Sequence, residues 1–393
     1  MILDNLTSIF VYLAVFALSI LLFYFGEKKH NKLLTILAFV PPILLATFRY
    51  QVGTDWIAYN QFYEEVGIED KAEFWRQIVE RESEPFMMFL GLLVHHLHIG
   101  SWPIFFVYSS ITLIFMYLAF RKLAPKYSWL MFGVFLFMAF PDSFNIMRQM
   151  SAMSVLMYLY AYLATKRPVD TKSSRDTASV RPVVTGERRL VLGRNLRNGR
   201  AMTCVTVVFL LVLAVNLHYA TLALLPVLLI PYLSRKFDEK KLSYILALLL
   251  IIALLLFPLL IQFLATSGIL SAKHYETLTN DFGSFYNFNF LICVVLGAFS
   301  FFYFRKKPTA NHLTPLILLG ANYSALGFYS SYLGRLADFF WPFAILLTWQ
   351  ILDTFKLSNR VKITLTLAAS IIYFFLAYVI MGTDEILPYG FIF

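Results

Sequence analysis

Charged residues are scarce in this chain: Asp, Glu, Lys and Arg together make up 14% of its 393 residues. In soluble globular domains the share is about a quarter, because charged side chains keep the surface hydrated. Here 59% of the residues are hydrophobic and the mean hydropathy is +0.69. The apolar residues fall in runs that approach the length of a membrane-spanning helix. The composition therefore excludes a soluble globular protein and predicts an all-α polytopic membrane protein.

Cysteine is almost absent, and this limits the chemistry that the chain can carry. The two cysteines, Cys204 and Cys293, both lie inside apolar runs, and neither has the spacing of a metal ligand or a disulfide partner. We expect both thiols to be buried as small apolar groups. The histidines at 95, 96 and 98 have no cysteine or carboxylate close by, so they do not match a zinc site. We therefore expect no resident metal ion and no cofactor.

Twelve apolar runs are long enough, or nearly so, to cross about 30 Å of hydrocarbon as helices. They are 7–25, 33–47, 102–120, 128–141, 149–164, 202–217, 219–233, 242–265, 288–304, 313–330, 337–354 and 363–381. A further run, Pro85–His98, has only about 14 residues and fits an interfacial or re-entrant helix that does not cross. The prediction is one integral-membrane domain, 1–393, with about twelve transmembrane helices.

The basic residues are distributed unevenly among the connectors between these runs. If every second connector is cytoplasmic, 26 of the 33 Lys and Arg residues lie inside and seven lie outside. The positive-inside rule then places both termini outside. This assignment requires that Pro85–His98 does not cross, because otherwise Arg121 and Lys126 would lie outside.

The two longest connectors have opposite character. Residues 165–200 hold ten Lys and Arg, which predicts a basic cytoplasmic loop able to touch anionic lipid. This loop has neither interleaved aromatic residues nor a nucleic-acid-binding signature, so we expect no nucleic-acid partner. Residues 48–84 are predicted to be an external loop that is acidic from Tyr59 to Ser83. Within it, Ala72–Val79 places Trp75, Ile78 and Val79 on one face, which predicts an amphipathic helix on the membrane surface.

Polar residues gather at the predicted external ends of the spans. A charged group at the centre of a membrane helix costs about 2.5–3.5 kcal/mol on insertion scales, so such groups are candidates for function. Gly53, between Arg49 and Asp55, permits a turn or a close backbone approach, and Asp55 shares a helix face with Tyr59. Polar groups from distant segments on one side of the membrane predict a shared cavity. The candidates are Arg49, Asp55, Glu84, Asp142, Asn145, Arg148, Gln149, His218, Arg335 and Asp338.

Some of these residues have a structural alternative. Asp142 has the position of a helix N-cap, which is the interpretation that we favour. Arg335 and Asp338 are three residues apart and can form a local ion pair. His218 ends one apolar run and begins the next, so it can also be an interfacial histidine with satisfied hydrogen bonds.

The segment Arg49-Tyr-Gln-Val-Gly-Thr-Asp-Trp-Ile-Ala-Tyr59, with Phe62, resembles the signature of the EpsG-like family of bacterial polysaccharide polymerases, the Wzy type. The resemblance covers essentially the whole chain, although loop 165–200 is longer and more basic than the family pattern. The later segments that resemble the family are Glu84-Pro-Phe, Asn145-Ile-Met-Arg-Gln149, His218, Arg335 before an aromatic pair, and Leu387-Pro-Tyr-Gly390.

The resemblance implies a glycosyltransferase of the bacterial cytoplasmic (inner) membrane. Such an enzyme moves a growing glycan from undecaprenyl diphosphate to a hydroxyl group of the next lipid-linked repeat, as in exopolysaccharide, capsule or O-antigen synthesis. The implied partners are the lipid-linked oligosaccharide, the lipid bilayer, and other assembly proteins such as a flippase and a chain-length regulator.

The candidate residues suit this chemistry. Arginine pairs its planar fork with phosphate oxygens, so Arg49, Arg148 and Arg335 are expected to converge on the diphosphate. The acceptor hydroxyl needs a base, for which the candidates are His218, then Glu84, with Asp55 better suited to positioning. The remaining candidates are expected to bind sugar: Tyr59, Asn145, Gln149 and Asp338.

Two other functions use intramembrane Arg and Asp residues: a flippase or other transporter, and a ligase that moves glycan to another acceptor. The sequence shows no internal repeat and no paired broken helices, which argues against a transporter. A metal-independent reaction is the simpler interpretation, with one divalent ion that bridges diphosphate to Asp55 as the alternative.

Overall fold

The computed structural model describes residues 2–66, 71–80, 83–165, 203–266, 288–304, 313–328 and 334–392. Over these residues the chain is helical, and its β-structure is limited to two isolated bridges. The helices are α1 Asn5–Lys28, α2 Lys32–Leu37, α3 Val40–Thr47, α4 Trp56–Glu65, α5 Lys71–Val79, α6 Pro85–His96, α7 Trp102–Leu123, α8 Ser128–Met138, α9 Met147–Thr165, α10 Thr203–Leu217, α11 Ile230–Lys236, α12 Glu239–Thr266, α13 Phe288–Phe304, α14 Leu313–Leu326, α15 Trp341–Asp353 and α16 Asn359–Phe374. Shorter 3₁₀ segments cover Pro141–Phe144, Tyr219–Leu229, Arg335–Phe340 and Thr383–Glu385, and a π-helical turn covers Phe375–Ile380.

Four helical segments of the described residues are long and apolar enough to cross a membrane: Asn5–Lys28, Trp102–Leu123, Arg335–Asp353 and Asn359–Ile380. Seven shorter apolar helices accompany them. Only 33% of the first span is buried inside the protein. Its exposed side is apolar as well, as expected for a helix that faces lipid. The chain is therefore a polytopic membrane protein, while the count of twelve crossings stays a prediction.

Proline explains where the helices are shorter than the apolar runs. Run 33–47 is divided between α2 and α3, and Pro41 and Pro42 occupy the first turn of α3. A proline ring clashes with the preceding turn and lacks an N–H, so a helix tends to end before it. In the same way α8 ends at Met138, shortly before the 3₁₀ turn that contains Pro141.

The segment predicted not to cross is a 12-residue helix, α6. At 1.5 Å per residue it measures about 18 Å, well below the hydrocarbon thickness. It ends near His98 and Gly100, which both have positive φ and reverse the chain.

Helix α5 occupies the predicted amphipathic segment and packs against α6. Its Phe74 is buried with Val66 and Met88, and Ile78 packs on this cluster. Phe74 belongs to the buried face, which the prediction omitted. Trp75 and Val79 are exposed, so they remain the residues able to touch a membrane surface.

The predicted external and internal ends of the helices gather at opposite ends of the bundle. At one end the Glu27 carboxylate accepts hydrogen bonds from Ser128 Oγ at 2.7 Å and Tyr117 Oη at 3.0 Å, and Lys362 contacts Asp353 at 3.0 Å. The other end contains loop 48–55, the turn around Asp142 and the C-terminal residues. The core between them is rich in edge-to-face aromatic pairs such as Phe16 with Phe137.

The C-terminal segment 382–392 crosses the end of the bundle and holds the loop after α3. Tyr50 N donates to Gly390 O at 2.7 Å, Ile392 N to Phe48 O at 3.0 Å and Gly53 N to Glu385 O at 3.1 Å. The loop that contains the family-like signature is therefore fixed by residues more than 300 positions away.

Apart from Thr165, the predicted basic loop 165–200 lies outside the described residues. Residues 67–70 and 81–82 of the predicted external loop 48–84 lie outside them as well.

Candidate functional site

A cavity of about 420 Å³ opens at the predicted external end of the bundle. Seven of the residues predicted to form a site line it, and they come from segments as distant as α4 and the turn before α15. The lining residues are Asp55, Tyr59, Asn145, Ile146, Arg148, Gln149, His218, Ala220, Ala223, Arg335 and Leu336. The structure thus brings together most of the predicted candidates at one cavity.

Glu84 connects two of the lining residues. Its Oε2 accepts a hydrogen bond from Arg148 Nη1 at 2.5 Å, and its Oε1 lies 2.5 Å from His218 Nδ1. Glu84 itself is buried, with 5% of its surface exposed. Its extended backbone, with ψ of 135°, follows from Pro85 at the first position of α6. The carboxylate therefore sits at the start of a helix, where the helix dipole favours negative charge.

The electrostatic environment keeps Glu84 ionised. Burial acts to raise the pKa of Glu84, but the hydrogen bond with His218 and the charge of Arg148 outweigh it, so the pKa lies below its ordinary value. An ionised carboxylate requires that His218 Nδ1 carries the proton of the bond between them. In a neutral imidazole, Nε2 is then the nitrogen with the free electron pair, which is the arrangement of a base oriented by a third group.

Arg148 and Arg335 supply cationic groups to the same cavity. Arg148 is the second residue of α9, its side chain is 34% exposed, and its guanidinium lies 5.7 Å from the centre of the Tyr59 ring. Arg335 is exposed at the start of its 3₁₀ segment. Gln149 Nε2 donates to the Arg335 carbonyl at 2.8 Å, which ties this segment to α9.

Arg49 does not reach the cavity with the other two arginines, in contrast to the expectation from the sequence. Its side chain is enclosed, with 2% exposure, and its guanidinium lies 4.5 Å from the Phe105 ring centre and 4.6 Å from that of Phe144. Nη2 donates to the Phe144 carbonyl at 2.9 Å. Burial lowers the pKa of Arg49 to about 10, so it stays charged at neutral pH. This cation joins loop 48–55 to the turn before α9.

The two remaining acidic candidates, Asp142 and Asp338, do not line the cavity. The side chain of Asp142 does not cap α9, as we had favoured. It accepts a hydrogen bond from Tyr378 Oη at 2.5 Å instead. Burial and the neighbouring Asp384 raise the pKa of Asp142 above its ordinary value, since two adjacent carboxyl groups resist double ionisation.

Asp384 does not line the cavity, but it positions the lining residue Asn145, and the sequence interpretation missed it. Its Oδ1 and its carbonyl accept hydrogen bonds from Asn145 Nδ2 at 2.6 and 3.1 Å. The signal available in the sequence was its place directly after the last predicted span, on the predicted side of the site. Gly53 has φ of +87°, and a Cβ there would collide with Asn145 Oδ1. The expected close backbone approach at Gly53 is therefore present, with the Asn145 side chain directly beside it.

The described residues contain no group of three or more His, Cys, Asp and Glu arranged to hold a metal ion. His95 Nδ1 lies 3.1 Å from the Tyr63 carbonyl, so the histidine cluster has a structural contact. Cys293 is buried as expected, but Cys204 is exposed because its side of α10 is not covered by the described helices.

The helices and the cavity define a class: a polytopic membrane protein with an ionic site where several helices end. The family model described as the EpsG family matches residues 32–171 and 198–391, and the chain belongs to this family. The match contains every residue that lines the cavity and leaves out 172–197, the centre of the predicted basic loop. Searches of curated proteins and of solved structures found no match.

Proposed function

We propose that this protein is a polysaccharide polymerase that transfers a growing glycan from undecaprenyl diphosphate to a hydroxyl group of the next lipid-linked repeat. Family membership supports a polymerase-type membrane protein of polysaccharide biosynthesis. The observation that carries the finer proposal is the Glu84 carboxylate, which joins Arg148 and His218 at one cavity. A cation suited to phosphate and an imidazole suited to a proton are thereby fixed next to each other.

The imidazole is the proposed base. His218 Nε2 takes the proton of the acceptor hydroxyl while its oxygen attacks the anomeric carbon of the donor glycan. Glu84 stabilises the positive charge that His218 gains, because its carboxylate is hydrogen-bonded to the opposite ring nitrogen. This arrangement makes Glu84 a positioning residue for the base and leaves His218 as the residue that touches substrate.

The arginines are the proposed diphosphate site. As the bond from the anomeric carbon to the diphosphate oxygen breaks, the electron pair leaves with the diphosphate. Arg148 and Arg335 stabilise this negative charge with planar, permanently charged groups. Since Arg49 is enclosed by Phe105 and Phe144, we propose that it positions loop 48–55 and does not bind diphosphate.

The remaining polar residues of the cavity are proposed to bind sugar hydroxyl groups. Asp55 and Tyr59 approach from α4, Asn145 and Gln149 from the start of α9. Asp338 is no longer included, because it does not line the cavity. The site is proposed to face the outside of the bacterial cytoplasmic membrane, with both termini on that side and with a flippase and a chain-length regulator as partners.

Reconstitution tests this proposal against its alternatives. Purified protein in lipid vesicles is given the lipid-linked repeat unit, and the products are separated by size. A ladder of products supports a polymerase, whereas one new conjugate on another acceptor would indicate a ligase. Movement of the substrate across the bilayer without a covalent change would indicate a transporter.

A further inference from the structure

An apolar groove of about 570 Å³ lies between α8, α13, α15 and α16. Among the described residues that line it none is charged, and apart from three Ser and Thr residues the walls are aliphatic and aromatic, including Trp341, Trp349 and Tyr373. Its volume falls within the range of about 300–1,000 Å³ that is typical of small-molecule sites. Two of its walls, α15 and α16, belong to candidate membrane spans, so the groove lies at the depth of the hydrocarbon.

The groove begins close to the proposed diphosphate site. Arg335 and Leu336 line the site cavity, and the next residue, Ala337, lines a small cavity that also includes Phe340. This small cavity shares Trp341, Ala344 and Ile292 with the groove. The three cavities therefore follow one another along the segment 335–355. From Trp341 to Asp353 helix α15 rises about 18 Å, which extends from one membrane interface deep into the bilayer.

We propose that this groove binds the polyprenyl chain of the lipid-linked substrate while Arg335 and Arg148 hold its diphosphate. The inference rests on the proposed function, because it assigns the apolar part of the same substrate. A polyprenyl chain carries flat double bonds and methyl branches. Aromatic walls at Trp341 and Trp349 offer faces to the double bonds, and the small Ala344 and Ala369 leave room for the branches.

The groove is open to the side, as a lipid-borne chain requires. Leu365 and Phe355 line it and are 48% and 45% exposed. In a membrane this exposed side faces hydrocarbon, so a polyprenyl chain enters laterally without leaving an apolar environment. A phospholipid acyl chain is the competing occupant. A phospholipid carries one phosphate in its headgroup, whereas the two arginine side chains of the cavity match the two phosphates of a diphosphate.

A pair of neighbouring alanines supplies a matched test. Ala368 and Ala369 are both exposed on α16, but only Ala369 lines the groove. We compare the parent with A369F and A368F on one repeat unit, linked either to the long polyprenyl chain or to a chain of two prenyl units. A369F is expected to raise KM for the long-chain substrate by about tenfold with kcat unchanged. It should leave KM for the short-chain substrate within about twofold, and A368F should change neither.

A binding measurement keeps this inference separate from the polymerase proposal. Polyprenyl diphosphate without sugar, carrying a diazirine in its chain, is photolysed with the parent in lipid nanodiscs, and labelled peptides are mapped by mass spectrometry. Label is expected in residues 341–355 and 365–373, and A369F should reduce it while A368F does not. Label elsewhere, or equal displacement by excess phosphatidylglycerol, would overturn the assignment.

If the groove is labelled but no polymer forms, the assignment stands and the polymerase proposal fails. If polymer forms with equal KM in all three proteins, the assignment fails and the polymerase proposal stands.

Discussion

Glu84 shows how one buried carboxylate organises the candidate site. Its two oxygens bind two different partners, Arg148 and His218. A carboxylate in this position cannot also take a substrate proton without weakening both contacts. The ranking of the base candidates, with His218 before Glu84, stays a prediction, and activity measurements on variants of both residues test it.

Replacing Glu84 by Gln removes the charge but keeps the side-chain shape. The amide no longer stabilises a protonated His218 and no longer pairs with Arg148. We expect kcat for polymerisation to fall by about 10²–10⁴, the usual size of an acid–base contribution, while binding of lipid-linked substrate persists. E80Q is the matched control, because Glu80 is exposed, pairs with Arg76 and does not line the cavity. H218Q should be inactive as well, and parent-like polymerisation by H218Q would refute its role as base.

The lowered pKa of Glu84 also makes stability depend on pH. A carboxylate whose pKa is lower in the folded state stabilises the fold above its ordinary value of 4.5, and this contribution is lost as pH falls through the lowered value. The difference in melting temperature between the parent and E84Q should therefore be largest near pH 7 and shrink in acid. Thermal unfolding in detergent at a series of pH values measures it. A difference that grows towards acid would contradict the ion pairs.

The three arginines should separate into two groups when each is changed to Lys. Lys keeps the charge but loses the planar fork, so R148K and R335K are each expected to lower kcat by about 10²–10³. R335K should do so without a change in melting temperature, because Arg335 is exposed. R49K should instead lower the melting temperature, because a Lys ammonium cannot reproduce the planar stacking of the guanidinium against the Phe105 and Phe144 rings or its hydrogen bond to the Phe144 carbonyl. Activity assays and thermal unfolding of the same preparations check both groups. A stable but inactive R49K would contradict the structural role and indicate that Arg49 binds the diphosphate.

At the scale of elements, loop 48–55 depends on chain segments that are remote in sequence. Gly53 is fixed by the carbonyl of Glu385 and by the side chain of Asn145. Gly382 also has positive φ, at +67°, but nothing lies within 4 Å of its added Cβ. G53A and G382A therefore share the backbone strain of about 1–2 kcal/mol, whereas only G53A must also displace Asn145. We expect G53A to lose most polymerase activity and G382A to retain most of it. Equal losses would show that strain alone matters.

An element could be predicted where it depends on neighbouring residues in the sequence, and could not where it depends on contacts between distant segments. Apolar runs and the short length of α6 are local properties, so the sequence indicated helices in all described runs. Proline also acts locally, and the start of α3 and the end of α8 could have been placed from Pro41 and Pro141. The enclosure of Arg49 could not be predicted from the sequence, because Phe105 and Phe144 contact it only after α7 and α9 pack together. The contact between Asn145 and Asp384 is invisible in sequence for the same reason.

At the scale of the whole molecule, the charge pattern and the packing agree. The residues of the proposed site come from predicted external ends and share one cavity, while Glu27, Ser128 and Tyr117, from predicted internal ends, share another cluster. Helix α1 connects the two ends, and its 24 residues rise about 36 Å, which exceeds the roughly 30 Å of a membrane's hydrocarbon. Which end faces the cytoplasm is a prediction of the positive-inside rule alone.

Single cysteines decide this orientation and the path of α6. Cys204 and Cys293 are first changed to Ala, and cysteine is then placed at Ser83, Lys126 or Ser179. In the predicted topology α6 does not cross and α7 does, so Ser83 and Lys126 lie on opposite sides. We expect a membrane-impermeant maleimide to label S83C in intact cells, and to label K126C and S179C only after the membrane is opened. Labelling of K126C from outside would mean that α6 crosses. Labelling of S179C from outside with S83C unlabelled would invert the whole protein, and the proposed site would then face the cytoplasm.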